Sequence, residues 1–396
     1  MYSVGMVVEF NPFHKGHEVH INESKVIPGR SRVVAVMSGN FVQRGEPALC
    51  DKWRRTKMAL LAGVDIVIEL PVPYVISGAD YFARGSVGLL AATGIVDALC
   101  FGSESGNLTA IQEAGRVLAM EPHQYRESLR LGLDHGMSFA AARGAALGAC
   151  LTSIPHGLLT KPNNGLAIEY CKAVFLLGNP MEVFTTHRGK GGPSATKIRA
   201  AFRHEKSGSL PEQAESIKGL LPDFAYEILL NAKDEIAELD DYSDIFKYLL
   251  YSTNISLGEG LENRFKRLCG RYPRISEMLN AVKTKRYTYT RLQRKTIGLI
   301  LGITTSDMDF YESHGGVQYI RVLGFRRDSA DLLGEMAKKA TLPVITHGAA
   351  MDNILSSGGA AGTMLAKELE AGDIYRIATG TVGGFLSERG VGMVVI

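Results

Sequence analysis

His14 and His17 stand three residues apart with Gly16 between them, inside the run Glu9-Phe10-Asn11-Pro12-Phe13-His14-Lys15-Gly16-His17-Glu18. Imidazoles donate hydrogen bonds to oxygens whose negative charge grows in a transition state. A glycine lets a phosphate approach the backbone. The apolar run Val4-Gly5-Met6-Val7-Val8 before them reads as a buried strand, and residues 16–26 read as a helix. The two histidines therefore fall where a strand hands over to a helix. Such a junction presents unpaired N–H groups and the positive end of a helix dipole to an anion. Taken alone, the pair also fits two surface histidines at a turn.

A second anion-binding candidate runs from Thr186-His187-Arg188-Gly189-Lys190 to Ser194-Ala195-Thr196-Lys197-Ile198-Arg199. Its glycines make a loop, Ser194 or Thr196 can cap the helix that opens there, and the cations beside that N-terminus suit a polyphosphate. The sequence holds no GxxxxGK[ST] match and so no P-loop. An ordinary capped surface helix fits this stretch equally well.

These residues need elements to hold them. Residues 4–9, 33–38, 65–70, 96–101 and 181–185 are apolar or β-branched nearly throughout, as strands covered on both faces are. Helical spacing fills 16–26, 51–62, 79–92, 108–120 and a long region over 124–177, with Asp51 placed to cap its helix. Strand and helix in that alternation predict a doubly wound parallel α/β sheet with ligands at the carboxyl ends of the strands. The expected domains are a nucleotide-binding unit over 1–204 and a mostly helical C-terminal region over 205–396. Two short strands around a helix are expected within 317–325 and 342–346. The Gly/Ala-rich tail from Gly358 shows little pattern beyond a helix over 364–371.

The chain has 396 residues, 45% hydrophobic and 21% charged, which is ordinary for a globular protein. No apolar run approaches the ~18 residues a membrane span needs, and no secretory leader is evident. Five widely spaced cysteines without a CxxC pair predict reduced thiols and a cytoplasmic setting. His14, His17 and His20 lack a cysteine or carboxylate at ligand spacing, so no protein metal site is predicted. The formal charge of +3 hides an asymmetry: residues 205–262 carry thirteen acidic against four basic residues, and residues 264–295 carry eleven basic against one acidic.

An HxGH element at the first strand–helix junction, with Ser194-Ala195-Thr196-Lys197-Ile198-Arg199 opening a later helix, resembles the two signatures of the HIGH-superfamily nucleotidyltransferases. More narrowly, the run from Glu9 to His17 resembles the bacterial tRNA(Met) cytidine acetate ligases. So do Ser38-Gly39-Asn40-Phe41-Val42-Gln43-Arg44-Gly45-Glu46-Pro47-Ala48, Ile68-Glu69-Leu70-Pro71, Phe101-Gly102-Ser103-Glu104 and Pro162-Asn163-Asn164. The likeness is dense over 1–204 and thin beyond. The second signature departs from the broad superfamily's Ile-Ser-Ser-Thr form, as suits the ligase branch.

The resemblance implies attack of acetate on the α-phosphate of ATP, then transfer of the acetyl group to the wobble cytidine of elongator tRNA(Met). It implies that His14 and His17 stabilise charge at the phosphates, and that Val8, Glu9, Phe10, Asn11, Pro12, Phe13, Lys15 and Gly16 line the ATP crevice. Gly102 and Asn163 would contact adenosine, and Arg188, Lys190, Thr196 and Arg199 the outer phosphates. Mg²⁺ is expected with ATP. Acetate is already a nucleophile near neutral pH, so no activated Ser or Cys is required, and positioning and charge neutralisation carry the reaction. Gln43, Arg44 and Glu46 would face acetate or RNA, or simply brace the crevice.

Within the basic segment, Arg291, Arg294 and Lys295 fall on one helical face, while Leu292, Thr296, Leu299 and Ile303 follow another. With a tRNA substrate implied, these three cations are candidate tRNA contacts, and Tyr272, Tyr287 and Tyr289 candidate stacking partners for bases. Pairing with the preceding acidic segment is the competing reading. Two other functions fit less of the sequence: an adenylyltransferase acting on a phosphorylated small molecule, and a non-catalytic RNA-binding factor with a nucleotide site.

Overall fold

Residue by residue, β-branched and apolar side chains build a sheet with both faces covered. The structure, a computed structural model, describes residues 2–26, 31–155, 157–187, 195–205, 216–253, 257–258, 260–284, 287–379 and 387–396. The strands are β1 (Ser3–Val8), β2 (Arg32–Ser38), β3 (Phe41–Val42), β4 (Glu46–Pro47), β5 (Ile66–Leu70), β6 (Ala98–Ser103), β7 (Glu182–His187), β8 (Ile320–Phe325), β9 (Val344–Ile345) and β10 (Val394–Val395). The main sheet has eight strands in the order β10-β8-β5-β2-β1-β6-β7, with β9 beside β8, and β3 and β4 form a separate hairpin. Along β2, Val34 and Val36 enter one core and Val33, Ala35 and Met37 the other. That alternation explains why the strand reads as one unbroken apolar run.

β1 is central. The chain leaves it first towards β2 and β5, then returns to add β6 and β7 on its other side, all parallel. The point where the order reverses, between β1 and β6, is where such sheets hold ligands. The β1–β2 ladder holds six residue pairs, but β1 and β6 pair only at Val4–Ala98 and Gly5–Leu99. Beyond Gly5 the two strands part towards their carboxyl ends, which opens the crevice there.

The helices that matter for the site are α1 (Lys15–Val26), α2 (Lys52–Leu61), α3 (Ala79–Ala92), α4 (Leu108–Met120), α5 (His123–Asp134), α6 (Phe139–Cys150), α7 (Pro162–Leu176), α8 (Ala195–Glu205), α9 (Asp223–Leu230), α10 (Ser243–Ser252), α11 (Leu261–Leu268), α12 (Ile275–Val282), α13 (Tyr289–Ile300), α14 (Thr305–Ser313), α15 (Ala330–Lys339), α16 (Gly348–Ser357) and α17 (Gly359–Thr379). Asp51 caps α2, its carboxylate accepting from Arg54 N–H at 2.9 Å.

Three features differ from the sequence expectation. The region over 124–177 divides into α5, α6 and α7. The sheet is not wholly parallel and does not stop at residue 204, because β8 joins β5 antiparallel and carries β9 and β10 with it. In the tail from Gly358, the helix expected over 364–371 extends over 21 residues as α17. Its small residues mark close packing: a Cβ on Gly372 would lie 2.6 Å from the Glu388 side chain, and one on Gly362 3.1 Å from the Ile354 carbonyl. Packed on most of its sides, the helix has no clean polar face to betray it.

Candidate active site

The loop leaving β1 turns at Phe10, whose φ of 48° is unusual for a bulky residue. Aromatic packing holds it there: the Phe10 ring lies 4.9 Å from that of Phe13 and 5.1 Å from that of His17. Phe10, Phe13 and His14 are all buried. The His14 and His17 rings stack 3.7 Å apart and 18° from parallel. The Gly16 amide donates to His14 Nδ1 at 3.1 Å, so this imidazole caps α1. The His14 amide donates to His17 Nδ1 at 3.3 Å. An Nδ1 that accepts is unprotonated, which places the proton of each neutral ring on Nε2.

The N–H groups that open α1 are paired, not left free as expected. Lys15 N–H donates to the Leu220 carbonyl at 3.0 Å, Gly16 N–H to His14 Nδ1, and His17 N–H to the His14 carbonyl at 2.8 Å. The dipole of α1 still favours an anion, but hydrogen-bond donation passes to the imidazoles. His20, further along α1, reaches towards β7, where its Nδ1 lies 2.7 Å from Thr186 Oγ1.

Across the crevice, Gly102 lies near the end of β6, in register with Thr186. The loop after it is locked to the start of α7. Glu104 accepts from the Asn163 amide and side chain and from the Asn164 amide, at 3.3, 2.8 and 2.8 Å. Asn164 Oδ1 in return accepts from the Glu104 and Ser105 amides at 2.9 and 3.1 Å. Gly102 and Asn163 are thereby brought to one wall. Asn164, fully buried, is the brace that sequence reading grouped into a motif without giving it a role.

The second signature docks directly on the first. Arg199 of α8 donates to the Asn11 carbonyl at 2.7 Å and lies 3.8 Å from Glu46. Ile198 and Phe202 share a core with Phe10 and Phe13. Thr196 is exposed, its hydroxyl 3.4 Å from Arg199. Arg188, Lys190 and Ser194 lie outside the described residues.

Two buried constellations escaped the sequence reading. Arg55, 0% exposed, donates to the carbonyls of Cys50, Glu9, Ser38 and Gly39 and so ties together the loops after β1 and β2. Glu9, whose carboxylate accepts from the Gln43 amide at 2.7 Å and from Ser38 Oγ at 3.3 Å, has its pKa pushed up by burial. Beneath Gly39, Lys52 meets Glu388 at 2.7 Å and also contacts Glu69 and Glu368. Arg321 meets Glu69 at 2.9 Å and Glu388 at 3.1 Å. Burial alone would raise Glu69, but Lys52 and Arg321 more than offset it and hold the carboxylate low. Burial and the neighbouring Glu69 push Glu368 well above the usual carboxylate range. Nothing marks such a cluster in sequence, since its members come from α2, β5, β8, α17 and the turn at Glu388.

The expected faces of α13 are present: Leu292, Thr296 and Leu299 are buried, while Arg291, Arg294 and Lys295 keep partial exposure. The tyrosines correct the expectation. Tyr287 is 8% exposed, with the Arg264 and Arg291 guanidinium carbons 5.9 and 5.4 Å from its ring centre, and Tyr272 and Tyr289 pack against the core. Tyr287 thus lies under the Arg264 and Arg291 side chains and does not stand out as a stacking platform, while Tyr272 and Tyr289 stay partly exposed. From the acidic segment, Glu235 pairs with Arg54 of α2 and Asp244 with Lys247.

Residues 1–384 match the family described as HIGH Nucleotidyl Transferase. The tRNA(Met) cytidine acetate ligase of Thermoanaerobacter sp. (strain X514) is 38% identical over 387 residues, covering 95% of each chain. The ligase of that name from Acetivibrio thermocellus is 36% identical over 395 residues, covering 95% of this chain and 94% of that one. The crystal structure of Thermotoga maritima TmcAL bound with alpha-thio ATP superposes with a TM-score of 0.91 at 30% identity over the whole of both chains. Fold, crevice and sequence agree, and this chain belongs to the tRNA(Met) cytidine acetate ligase family of HIGH nucleotidyl transferases.

Proposed function

We propose that the protein acetylates the wobble cytidine of elongator tRNA(Met) at N4, using acetate and ATP. An acetate oxygen attacks the α-phosphorus of ATP, the bond to the β-phosphate oxygen breaks, and acetyl-adenylate and pyrophosphate form. The cytidine amine then attacks the acetyl carbon, loses a proton, and AMP leaves. The carrying observation is the orientation of the two stacked imidazoles at the β1–β6 crevice, with Nδ1 of each accepting a backbone N–H, which leaves Nε2 to donate. A hydrogen-bond donor there stabilises charge that grows on the phosphates in the transition state.

In this reading ATP lies along the loop Val8, Glu9, Phe10, Asn11, Pro12 and Phe13 and the start of α1 at Lys15 and Gly16. Its adenosine meets Gly102 and Asn163, and its outer phosphates meet Thr196, Arg199, Arg188 and Lys190. Arg199 serves twice, since a guanidinium has five N–H donors and part of that set holds the Asn11 carbonyl. Among the described residues no group of three or more His, Cys, Asp or Glu could hold a metal ion. A Mg²⁺ ion accompanying ATP would bridge its phosphate oxygens and keep much of its water shell.

Residues 1–204 carry the nucleotide chemistry, and 205–396 add the basic face that meets tRNA, with Arg291 and Lys295 as phosphate contacts. Five unbridged cysteines suit a reducing, cytoplasmic setting. The test is acetate-dependent exchange of labelled pyrophosphate into ATP by the wild-type protein. Exchange that proceeds equally without acetate would favour adenylyl transfer to another acceptor.

A further inference from the structure

The β3–β4 hairpin touches three parts of the molecule that the proposed reaction uses. Its amide at Gln43 donates to the half-buried Glu9 carboxylate in the proposed ATP crevice at 2.7 Å. Its Glu46 lies 3.8 Å from Arg199, whose guanidinium holds the Asn11 carbonyl. Its tip sits on the basic helix α13. Gly45 has φ of 79°, and a Cβ there would fall 2.4 Å from the Arg294 nitrogen, 2.6 Å from its Cα and 2.7 Å from the Gln293 carbonyl carbon. Backbone thus rests on backbone, a contact that only glycine allows. Above it Arg294 Nη1 reaches the Gln43 carbonyl at 3.5 Å.

The base of the hairpin is fixed. Phe41 is fully buried, 5.9 Å from the Tyr242 ring and 6.1 Å from the Tyr375 ring, and Tyr375 Oη donates to the Ala48 carbonyl at 2.9 Å. With the base anchored, the seat of the tip on α13 decides where the Gln43 amide points. Of the three basic residues on this face, Arg294 is therefore the one turned inward to the catalytic loops.

We infer that Arg294 is a positioning residue for nucleotide activation: with Gly45 it seats the hairpin so that the Gln43 amide holds Glu9, and through it the His14–His17 loop, in working geometry. This rests on the acetate-ligase reading. It makes α13 both the face offered to tRNA and the support of the ATP crevice, so tRNA bound there bears on the first chemical step as well as the second. A displacement of about 1 Å in such a support costs up to ~100-fold in rate.

The test uses the full chain without tRNA and follows acetate-dependent ATP–pyrophosphate exchange in Arg294→Ala, Arg294→Lys and Gly45→Ala, with a melting curve and a tRNA dissociation constant for each. The expected pattern is a tenfold or greater fall in exchange kcat for Arg294→Ala and Gly45→Ala, about as large as misplaced catalytic groups produce. Folding should be retained, Arg294→Lys should recover part of the loss, and tRNA affinity should change by less than exchange does. Wild-type exchange in Arg294→Ala, with tRNA affinity alone reduced, would make Arg294 an RNA contact and overturn the inference. If Arg294→Ala fails to fold, normal exchange in a folded Gly45→Ala overturns it equally. No acetate-dependent exchange by the wild-type protein would instead overturn the ligase reading and the inference with it.

Discussion

The rings of His14 and His17 lie face to face at 3.7 Å, and each is tied by Nδ1 to an amide of its own turn. One consequence is that neither ring can rotate or change tautomer without losing a backbone hydrogen bond. His17→Ala should lower acetate-dependent exchange by ~10²–10³-fold, the scale of a lost transition-state donor, with little change in melting temperature. His14→Ala should show a similar loss and in addition cost about 1 kcal/mol of stability, because His14 Nδ1 also caps α1. Exchange kinetics and a denaturant titration on the two variants separate these effects.

The buried cluster under Gly39 predicts a pH dependence of opposite sign for two carboxylates. Glu69 is held low, so its contribution to stability is present above the ordinary carboxylate value of 4.5 and fades as pH falls through its folded pKa. Glu368 is raised, so its contribution is present below that value and fades as pH rises through its folded pKa. Glu368→Gln should therefore be close to neutral in stability and should flatten the decline on the alkaline side. Glu69→Gln leaves Lys52 and Arg321 short of a buried partner and should cost about 3–5 kcal/mol at neutral pH. Trp53, the only tryptophan, lies 5.5 Å from Lys52 Nζ and 5.6 Å from the Arg321 guanidinium carbon, so its fluorescence reports on the cluster.

Arg55 offers a different kind of buried cation, one whose hydrogen bonds go to four carbonyls of the catalytic loops. Arg55→Met keeps the volume and removes the donors, and each carbonyl left without a partner costs about 1–3 kcal/mol. The urea midpoint should fall by an amount equal to at least ~3 kcal/mol with an unchanged m-value. A near-normal midpoint would mean that water replaces the guanidinium without loss.

On α13, Arg291→Glu and Lys295→Glu should weaken tRNA binding by more than they reduce exchange. Each should also lower the slope of log affinity against log salt by about one, as the loss of a phosphate contact does. Filter binding across a salt series measures both quantities.

Much of this was legible before any coordinates. Helices at 79–92 and 108–120 coincide with α3 and α4, and the five expected N-terminal strands all occur within a few residues of their predicted limits. Apolar runs of that length punctuated by Gly and polar turns have few other foldings. The HxGH turn was legible because its chemistry sits in one short stretch of sequence. Arg55, Lys52 and Arg321 were not, because a charged residue in an amphipathic pattern reads as solvated, and only the tertiary arrangement gives it buried partners. β8 was visible as a strand, but its antiparallel docking on β5 depends on a contact about 250 residues away in sequence, beyond any local signal.

Acetate-dependent acetylation of tRNA is tested by incubating the wild-type protein with ATP, carbon-labelled acetate and total tRNA, then digesting the tRNA and locating the label. The expected result is label in a single tRNA species, as N4-acetylcytidine at the wobble position of elongator tRNA(Met), with AMP and pyrophosphate released in step. Label in no tRNA, or label that appears without ATP, would contradict it.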